Sequence, residues 1–305
     1  MNVLVTGIRG YVGSRLAPRL VAEGHSVHGL SRHRDVTGPA GVPVLVGDAV
    51  TGEGLEDALE GVDVAYFLIH SMEPSSDGPF SARERAAAEN FARAARAARV
   101  ARVVYLGGPI PAGGVSSPHL ASRLAVERIL LDAGPCPVAL RASIVIGAGS
   151  RSFRFLVRLV ERMPVLPVPA WRTRQTSPLD ERDMVELLVS AATSDAGCGE
   201  SLDAAGPELV SYGELIDRIR EHLLVGRVTM SFKRLSLTPI ASRVAALIAG
   251  EDHELIGPLM ESLEYDLLPA GRNAAELLGV RLHSLDAAIE HALREWEATE
   301  PLAAR

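Results

Sequence analysis

The sequence predicts an α/β protein in which a doubly wound parallel sheet carries helices on both faces, with a smaller, mostly helical lobe towards the carboxyl end. Short apolar runs alternate with helical patterns through residues 1–150, and helical patterns dominate after about residue 206. With 305 residues, 47% of them hydrophobic, the chain can bury a core of this size. The predicted boundaries are 1–150 for the sheet domain, with a return segment around 174–205, and 151–173 with 206–305 for the lobe.

The predicted strands are short and apolar, beginning with VLV at residues 3–5, as expected for strands buried on both faces. Five further runs end near Ser31, Asp48, His70, Gly108 and Gly147. Helical patterns separate the runs, and the longest is RERAAAENFARAARAARV. Because such crossovers are right-handed, the strands are parallel, and a ligand would bind beyond their carboxyl ends.

A glycine-rich turn joins the first strand to the first helix. Gly7, Gly10 and Gly13 follow the spacing G-x-x-G-x-x-G. Glycines here permit a tight turn and let backbone N–H groups approach a diphosphate at the start of a helix. The turn therefore predicts a dinucleotide site. Its candidate cofactor-binding residues are Thr6, Gly7, Arg9, Gly10, Tyr11, Val12 and Gly13.

The end of the second strand indicates which dinucleotide binds. Ser31, Arg32 and Arg34 occur there, and no acid precedes Asp35. An acid would bind the ribose hydroxyl of NAD(H), whereas arginine suits the phosphate of NADP(H). NADP(H) is therefore favoured over NAD(H), with Arg9 as a second positive charge. The alternative is that Arg32 is an ordinary solvated residue.

Several segments in a fixed order resemble the atypical and extended short-chain dehydrogenase/reductase superfamily, including its NmrA-like and complex-I-subunit-like branches. They are TGIRGYVG, GD at 47–48, LGG at 106–108, LRASIVIGAGS at 140–150, TSPLDERDMV at 176–185 and LDAAGPELVSYGELI at 202–216. The resemblance implies a Rossmann fold with a C-terminal substrate lobe. It also implies further cofactor contacts at Asp48, Ala49, Ile69, His70, Ser71 and Gly107.

The sequence departs from this superfamily at its catalytic positions. Active members carry Tyr-x-x-x-Lys and a serine at the preceding strand end. Here His119 and Arg123 occupy the pair, the strand ends in Gly107 and Gly108, and the only lysine is Lys233. The usual catalytic set is therefore absent.

His119 and Arg123 are nevertheless chemically competent, because they lie four apart on one helical face. Histidine can act as a general acid, and arginine can stabilise an oxyanion or hold the cofactor ribose. His70 is a second candidate acid. The alternatives are that His119 makes only polar contacts and that Arg123 pairs with Glu127, four residues on. The helix with Glu84, Arg85, Glu89 and Arg93 is interpreted as a solvated, charge-paired face.

The substrate pocket is predicted from Gly108 and from large apolar residues of the lobe. Phe153 and Trp171 are the main candidates, with Phe155, Met230 and Phe232 as further ones. Plain lobe packing is the alternative. An apolar lining would suit a lipophilic substrate.

Composition excludes several partners. The net charge of −7 argues against nucleic acid, and no apolar run reaches the ~18 residues of a membrane span. The histidines lack metal-ligand spacing, so no metal is expected. Cys136 and Cys198 are expected to be separate thiols, and the opening MNVLVTG lacks a secretion signal, so we expect a cytoplasmic protein. We expect a monomer or homodimer.

These observations predict an NADPH-dependent reductase of a carbonyl or conjugated double bond on an apolar small molecule. The alternative is a non-catalytic NADP(H)-binding sensor or assembly protein, which the missing catalytic residues favour.

Overall fold

The computed structural model describes residues 1–33, 36–70, 80–111, 118–162, 165–168, 170–224, 228–231, 263–300 and 302. Its strands are β1 (Asn2–Thr6), β2 (Ser26–Ser31), β3 (Val44–Val46), β4 (Val64–Phe67), β5 (Arg102–Gly107), β6 (Cys136–Ala142), β7 (Val145–Ile146), β8 (Val165–Val168), β9 (Gln175–Thr176), β10 (Leu179–Asp180), β11 (Glu200–Ala204), β12 (Val210–Ser211), β13 (Val228–Ser231) and β14 (Arg272–Asn273). Eight of these described strands form one sheet in the order β14-β11-β6-β5-β4-β1-β2-β3. All neighbours are parallel, so the predicted Rossmann sheet is confirmed.

The helices lie on both faces of this sheet and in the lobe. They are α1 (Tyr11–Ala22), α2 (Leu55–Leu59), α3 (Phe80–Ala97), α4 (Pro118–Leu130), α5 (Arg151–Arg162), α6 (Glu181–Thr193), α7 (Tyr212–His222), α8 (Ala274–Leu278) and α9 (Leu285–Glu297). Short 3-10 turns occur at Pro39–Gly41, Ala170–Thr173 and Asp195–Gly197. In the described ranges, no helix has both the length and the apolar character needed to cross a bilayer.

Two apolar cores cover the two faces of the sheet. Helices α1, α6 and α8 bury residues such as Leu16 and Leu188 on one face. Helices α2, α3 and α4 bury Phe91 and Val126 on the other. Burial of apolar surface from both sides explains why the strands read as continuous apolar runs.

A third core lies in the C-terminal lobe among α5, α7 and α9. Phe153, Tyr212 and Trp296 are buried in it. The guanidinium carbons of Arg154 and Arg158 lie 4.4 and 4.8 Å from the Trp296 ring centroid, which closes the core with cation–π contacts. The full burial of Phe153 favours packing over the substrate role that the sequence suggested.

The lobe boundary differs from the expected one at two places. The strand expected over 137–147 ends at Ala142, and β7 pairs with β10 in a separate two-stranded sheet. In addition, β14 and α8 return to the main sheet, although 206–305 was assigned to the lobe. The return is held by Asp203 on β11, which accepts hydrogen bonds from the backbone N–H groups of Ala270, at 2.6 Å, and Gly271.

Cys136 and Cys198 are joined as a disulfide, with their Cα atoms 4.7 Å apart, so the expectation of two separate thiols is wrong. Their positions explain the pairing. Cys136 begins β6, and Cys198 lies just before the neighbouring β11. Beside them, the N–H of Gly199 donates to the carbonyl of Pro137 at 2.7 Å, which aligns the two segments.

Candidate functional site

The glycine turn is packed so closely that side chains could not replace its glycines. Gly7 has φ +64°, and a Cβ there would lie 2.9 Å from the carbonyl oxygen of Leu68. A Cβ on Gly13 would lie 2.7 Å from the Cα of Ile8. Gly10 is exposed, caps α1 without a side-chain hydrogen bond, and donates its N–H to Gly7 O at 2.8 Å. A helix start open in this way fits the diphosphate of a dinucleotide.

Thr6 fixes the turn rather than facing a ligand. Its side chain is fully buried; Oγ1 donates to Tyr66 O and accepts from the N–H of Leu68, each at 3.0 Å. These bonds tie the end of β1 to the end of β4. The glycine turn is therefore held against the segment that leads to His70.

Tyr11 and Val12 begin α1, but their side chains turn away from the open helix start. The Tyr11 hydroxyl donates to Glu181 Oε2, and a Cβ on Gly149 would lie 2.7 Å from the Tyr11 ring. Burial, then the nearby Glu181 charge, raises the pKa of Tyr11 far above its ordinary value. Val12 packs against the core. Any contact that Tyr11 or Val12 makes with a cofactor would therefore come from backbone atoms rather than from the side chains.

The predicted ribose-phosphate residues lie at the surface. Arg9 and Arg32 are exposed, and neither forms an ion pair within the described part of the chain. Ser31 Oγ accepts a hydrogen bond from the N–H of His33 at 3.1 Å. Arg34 and Asp35 lie outside the described residues. Arg9 and Arg32 thus remain available to an anionic ligand.

The loop after β3 is held by α3. Asp48 Oδ1 accepts from the N–H of Val50 at 2.8 Å. Asn90 Nδ2 donates to Ala49 O at 3.0 Å and to Val50 O at 2.8 Å. These bonds give Asp48 and Ala49, two of the cofactor contacts that the resemblance implied, a defined position at the carboxyl edge of the sheet.

A polar cluster lies where β4 and β5 end. His70 Nδ1 lies 2.8 Å from Glu84 Oε1 and 3.0 Å from Arg123 Nη1. Ser122 Oγ donates to Glu84 Oε2 at 2.7 Å, and Arg123 Nη2 donates to Leu106 O at 2.7 Å. The cluster therefore joins the segment after β4 to α3, α4 and β5.

Glu84 carries the negative charge of this cluster. Its side chain is 3% exposed, and burial alone would raise its pKa. The hydrogen bond with His70, the Arg123 charge and the Ser122 hydroxyl outweigh burial and lower the pKa of Glu84 below its ordinary value. Glu84 is therefore a carboxylate balanced by Arg123.

His119 completes the site from the first turn of α4. Its ring stacks on Phe80 at 5.8 Å and lies 5.3 Å from the His70 ring, between centroids. Its Nδ1 is buried without a hydrogen-bond partner among the described residues. Burial, helped by the charges of His70 and Arg123, lowers the pKa of His119 to about 4, so the ring is neutral at neutral pH.

Two alternatives drawn from the sequence are wrong. Arg123 does not pair with Glu127, because Glu127 accepts from Arg141 and from Ser201 Oγ, the latter at 2.8 Å. Glu84 is not on a solvated face, although Arg85 does pair with the exposed Glu89 at 2.8 Å. The sequence contains an indication that Glu84 is buried. Positions 84, 87, 88 and 91, all buried in the structure, follow the spacing of one helical face.

The other predicted site residues differ in how closely they are packed and in whether the structure describes them. A Cβ on Gly107 would lie 2.8 Å from the Tyr105 ring, whereas one on Gly108 would meet nothing nearer than the Leu120 side chain at 3.9 Å, so of the two only Gly108 has space around it. Ile69 packs against the core. Trp171 lies in the 3-10 turn Ala170–Thr173, with its side chain outside the described residues, as is all of Ser71.

A separate group of ligating side chains lies between α6 and α9. Atoms of Glu181, His291 and Glu295 lie within 4.8 Å of one another. Arg15 pairs with Glu181 at 3.2 Å and also with Glu295, so a side chain already supplies positive charge there. The absence of a metal stays a prediction.

Residues 7–125, which contain the glycine turn and His119–Arg123, match a family model described as NAD(P)H-binding. This stretch is therefore an NAD(P)H-binding domain, and it lies on a Rossmann fold. A curated relative, the uncharacterized protein Rv2047c of Mycobacterium tuberculosis, is 27% identical over 222 residues, which is 72% of this chain and 22% of the relative. The chain thus spans about a fifth of the length of that relative.

Solved structures share the fold across nearly the whole chain. MoeE5 in complex with UDP-glucose and NAD is 21% identical, with a TM-score of 0.70 and coverage of 98% of this chain and 99% of that chain. A nucleoside-diphosphate-sugar epimerase from Staphylococcus aureus is 17% identical, with a TM-score of 0.72 and coverage of 95% and 100%. The NDP-hexosamine 5,6-dehydratase TunA is 18% identical, with a TM-score of 0.71 and coverage of 98% and 99%.

Proposed function

We propose that the protein is an NADPH-dependent reductase of a carbonyl or conjugated double bond on an apolar small molecule. The observation that supports the proposal is the cluster of His70, His119 and Arg123 where β4 and β5 end, because β4 lies next to β1, the strand that leads into the glycine turn. Thr6 and Leu68 connect that turn to the segment of His70 through two hydrogen bonds of 3.0 Å. A dinucleotide on the turn would thus bring its reactive end to the imidazole rings.

Each residue has a distinct role in this proposal. When bound, the cofactor supplies a hydride. His119, with its unpartnered Nδ1, would make a hydrogen bond to the substrate oxygen as a neutral imidazole. Arg123 places a fixed positive charge at the end of β5, where negative charge would develop on oxygen. The site therefore supplies polarisation without the tyrosine and lysine of the superfamily, and the proton that completes the reduction comes from water.

NADP(H) is proposed over NAD(H) because Arg9 and Arg32 are exposed at the turn and at the end of β2. A guanidinium binds phosphate through paired donors. The structure of MoeE5 contains NAD, so the choice needs its own measurement.

We further propose a small-molecule substrate, no nucleic-acid or membrane partner, a monomer or homodimer, and a cytoplasmic location. The net charge of −7 supports the exclusion of nucleic acid. The stacked rings of Phe80 and His119 supply an apolar wall beside the polar cluster and support an apolar substrate.

The test is a single-turnover measurement of NADPH oxidation. The protein is loaded with NADPH and mixed with a panel of quinones, ketones and enones, and with a UDP-4-keto-hexose, because MoeE5 binds UDP-glucose. Loss of NADPH fluorescence with an apolar carbonyl compound supports the proposal. Oxidation with the keto sugar nucleotide alone would reject the substrate class.

A second candidate is a non-catalytic NADP(H)-binding sensor. The observation that favours it is the engagement of Arg123 with three protein groups: His70, Glu84 and the Leu106 carbonyl. NADPH binding with no oxidation across the whole panel would favour the sensor over the reductase.

A further inference from the structure

We propose that Glu84 is a positioning residue: it holds His70 in the tautomer with the proton on Nδ1, so that Nε2 accepts a hydrogen bond from a ligand hydroxyl. Because the proposed function brings a ligand beside His70, this role rests on that function. The hydroxyl belongs either to a cofactor ribose or to a substrate alcohol.

The first step is the charge of Glu84. A carboxylate that is 3% exposed requires hydrogen-bond donors, and three groups surround it. Ser122 Oγ donates to Oε2 at 2.7 Å, while His70 Nδ1 and Arg123 Nη1 lie 2.8 and 3.6 Å from Oε1. Hydrogen-bond donors and a cation on one carboxyl group stabilise its ionised form.

The second step is the proton on His70. An ionised carboxylate carries no hydrogen, so the 2.8 Å contact with Glu84 needs the hydrogen on His70 Nδ1. A bare Nδ1 could accept from Arg123 Nη1 at 3.0 Å, but it would bring two acceptors together at the shorter Glu84 contact. Arg123 can instead direct its hydrogens to the Glu84 carboxylate, 3.6 Å away. Burial and the Arg123 charge lower the pKa of His70 despite the opposing effect of Glu84. The ring is then neutral at neutral pH, and Nε2 carries a lone pair.

The third step is the direction of Nε2. The His70 side chain is 31% exposed, whereas its Nδ1 edge is held by the buried Glu84. The exposed part of the ring is therefore on the edge away from Glu84, and the His119 ring lies 5.3 Å from the His70 ring, between centroids. A neutral nitrogen there accepts hydrogen bonds, and hydroxyl groups of a ribose or an alcohol can donate them.

Glu127 provides a matched control for Glu84. It is also buried, at 3% side-chain exposure, and its carboxylate also accepts from an arginine and a serine. Its partners are Arg141 and Ser201 rather than His70. Glu127→Gln therefore removes a buried charge of the same kind without touching the His70 ring.

The tautomer is measured by nitrogen NMR of the uniformly labelled full chain, with His70 assigned among the nine histidines by His70→Gln. We expect wild-type His70 to carry its proton on Nδ1 at pH 7.5. Glu84→Gln should produce a mixture of tautomers, because an amide can donate or accept, whereas Glu127→Gln should change nothing. A wild-type ring protonated on Nε2 overturns the proposal. This readout needs no turnover, so it is independent of the reductase test.

The ligand source is distinguished in two arms. NADPH alone, or NADP+ with 1-phenylethanol, is added to the labelled protein. A shift of the His70 Nε2 signal with NADPH assigns the hydroxyl to the ribose, and a shift only after the alcohol assigns it to the substrate. No shift in either arm overturns the acceptor role. If Glu84→Gln fails to fold, Glu84→Asp, which keeps the charge, should retain the Nδ1–H tautomer; its loss also counts against the proposal.

Discussion

Arg123 Nη2 donates a 2.7 Å hydrogen bond to the carbonyl oxygen of Leu106, which fixes the guanidinium at the end of β5. Its Cζ also lies 5.3 Å from the Tyr105 ring centroid. This side chain is thus fixed in direction and reaches His70 with its other terminal nitrogen. A lysine, with one nitrogen, could not make these contacts together.

Replacement of His119 tests the catalytic proposal. His119→Phe keeps a ring that can stack on Phe80 but removes both ring nitrogens. We expect turnover to fall by at least ~100-fold, in the usual range for losing a group that polarises the reacting oxygen. NADPH affinity should change little. His25→Phe, just before β2 at the opposite edge of the sheet, is the control. Retained turnover in His119→Phe would show that the residue assignment is wrong.

Charge reversal at Arg32 tests cofactor choice. Arg32→Glu should weaken NADPH binding on the order of tenfold, about 1.4 kcal/mol, and change NADH binding far less. Isothermal titration of both cofactors measures the ratio. Arg294→Glu, on the exposed side of α9, controls for the change in net charge. Equal weakening of both cofactors would reverse the preference for NADP(H).

The glycine turn yields a test of packing. Gly7→Ala and Gly24→Ala both place a Cβ at positive φ, +64° and +80°, but only Gly7 has backbone within 4 Å of that Cβ. We expect Gly24→Ala to cost ~1 kcal/mol of unfolding free energy and Gly7→Ala to cost ~1–3 kcal/mol more. Gly7→Ala should also lose NADPH binding. Equal costs in urea denaturation would contradict the close approach to Leu68.

The lowered pKa of His119 implies a pH dependence of stability. The unfolded ring takes up a proton near its ordinary pKa of ~6.5, whereas the folded ring resists protonation down to about 4. The unfolded state therefore binds more protons between these values, and stability falls as the pH decreases through this window. We expect His119→Phe to reduce the loss of unfolding free energy between pH 7.5 and 5. An unchanged pH dependence, measured by urea denaturation, would contradict the buried neutral ring.

The sequence predicted those features that depend on local pattern. The glycine spacing, the apolar strands and the α4 pair His119–Arg123 are readable because each is set within a few residues. Glu84 was missed as a site residue because its charge suggested solvent, and only its spacing with Phe91 indicated a buried face. The addition of β14 to the sheet depends on a contact between Asp203 and Gly271, 68 residues apart, which no local pattern reveals.

The central claim is that the glycine turn binds a dinucleotide, and calorimetry of the folded protein with NADPH and NADH tests it most directly. We expect binding of NADPH in the micromolar range and weaker binding of NADH. Heats indistinguishable from dilution for both cofactors would contradict the claim.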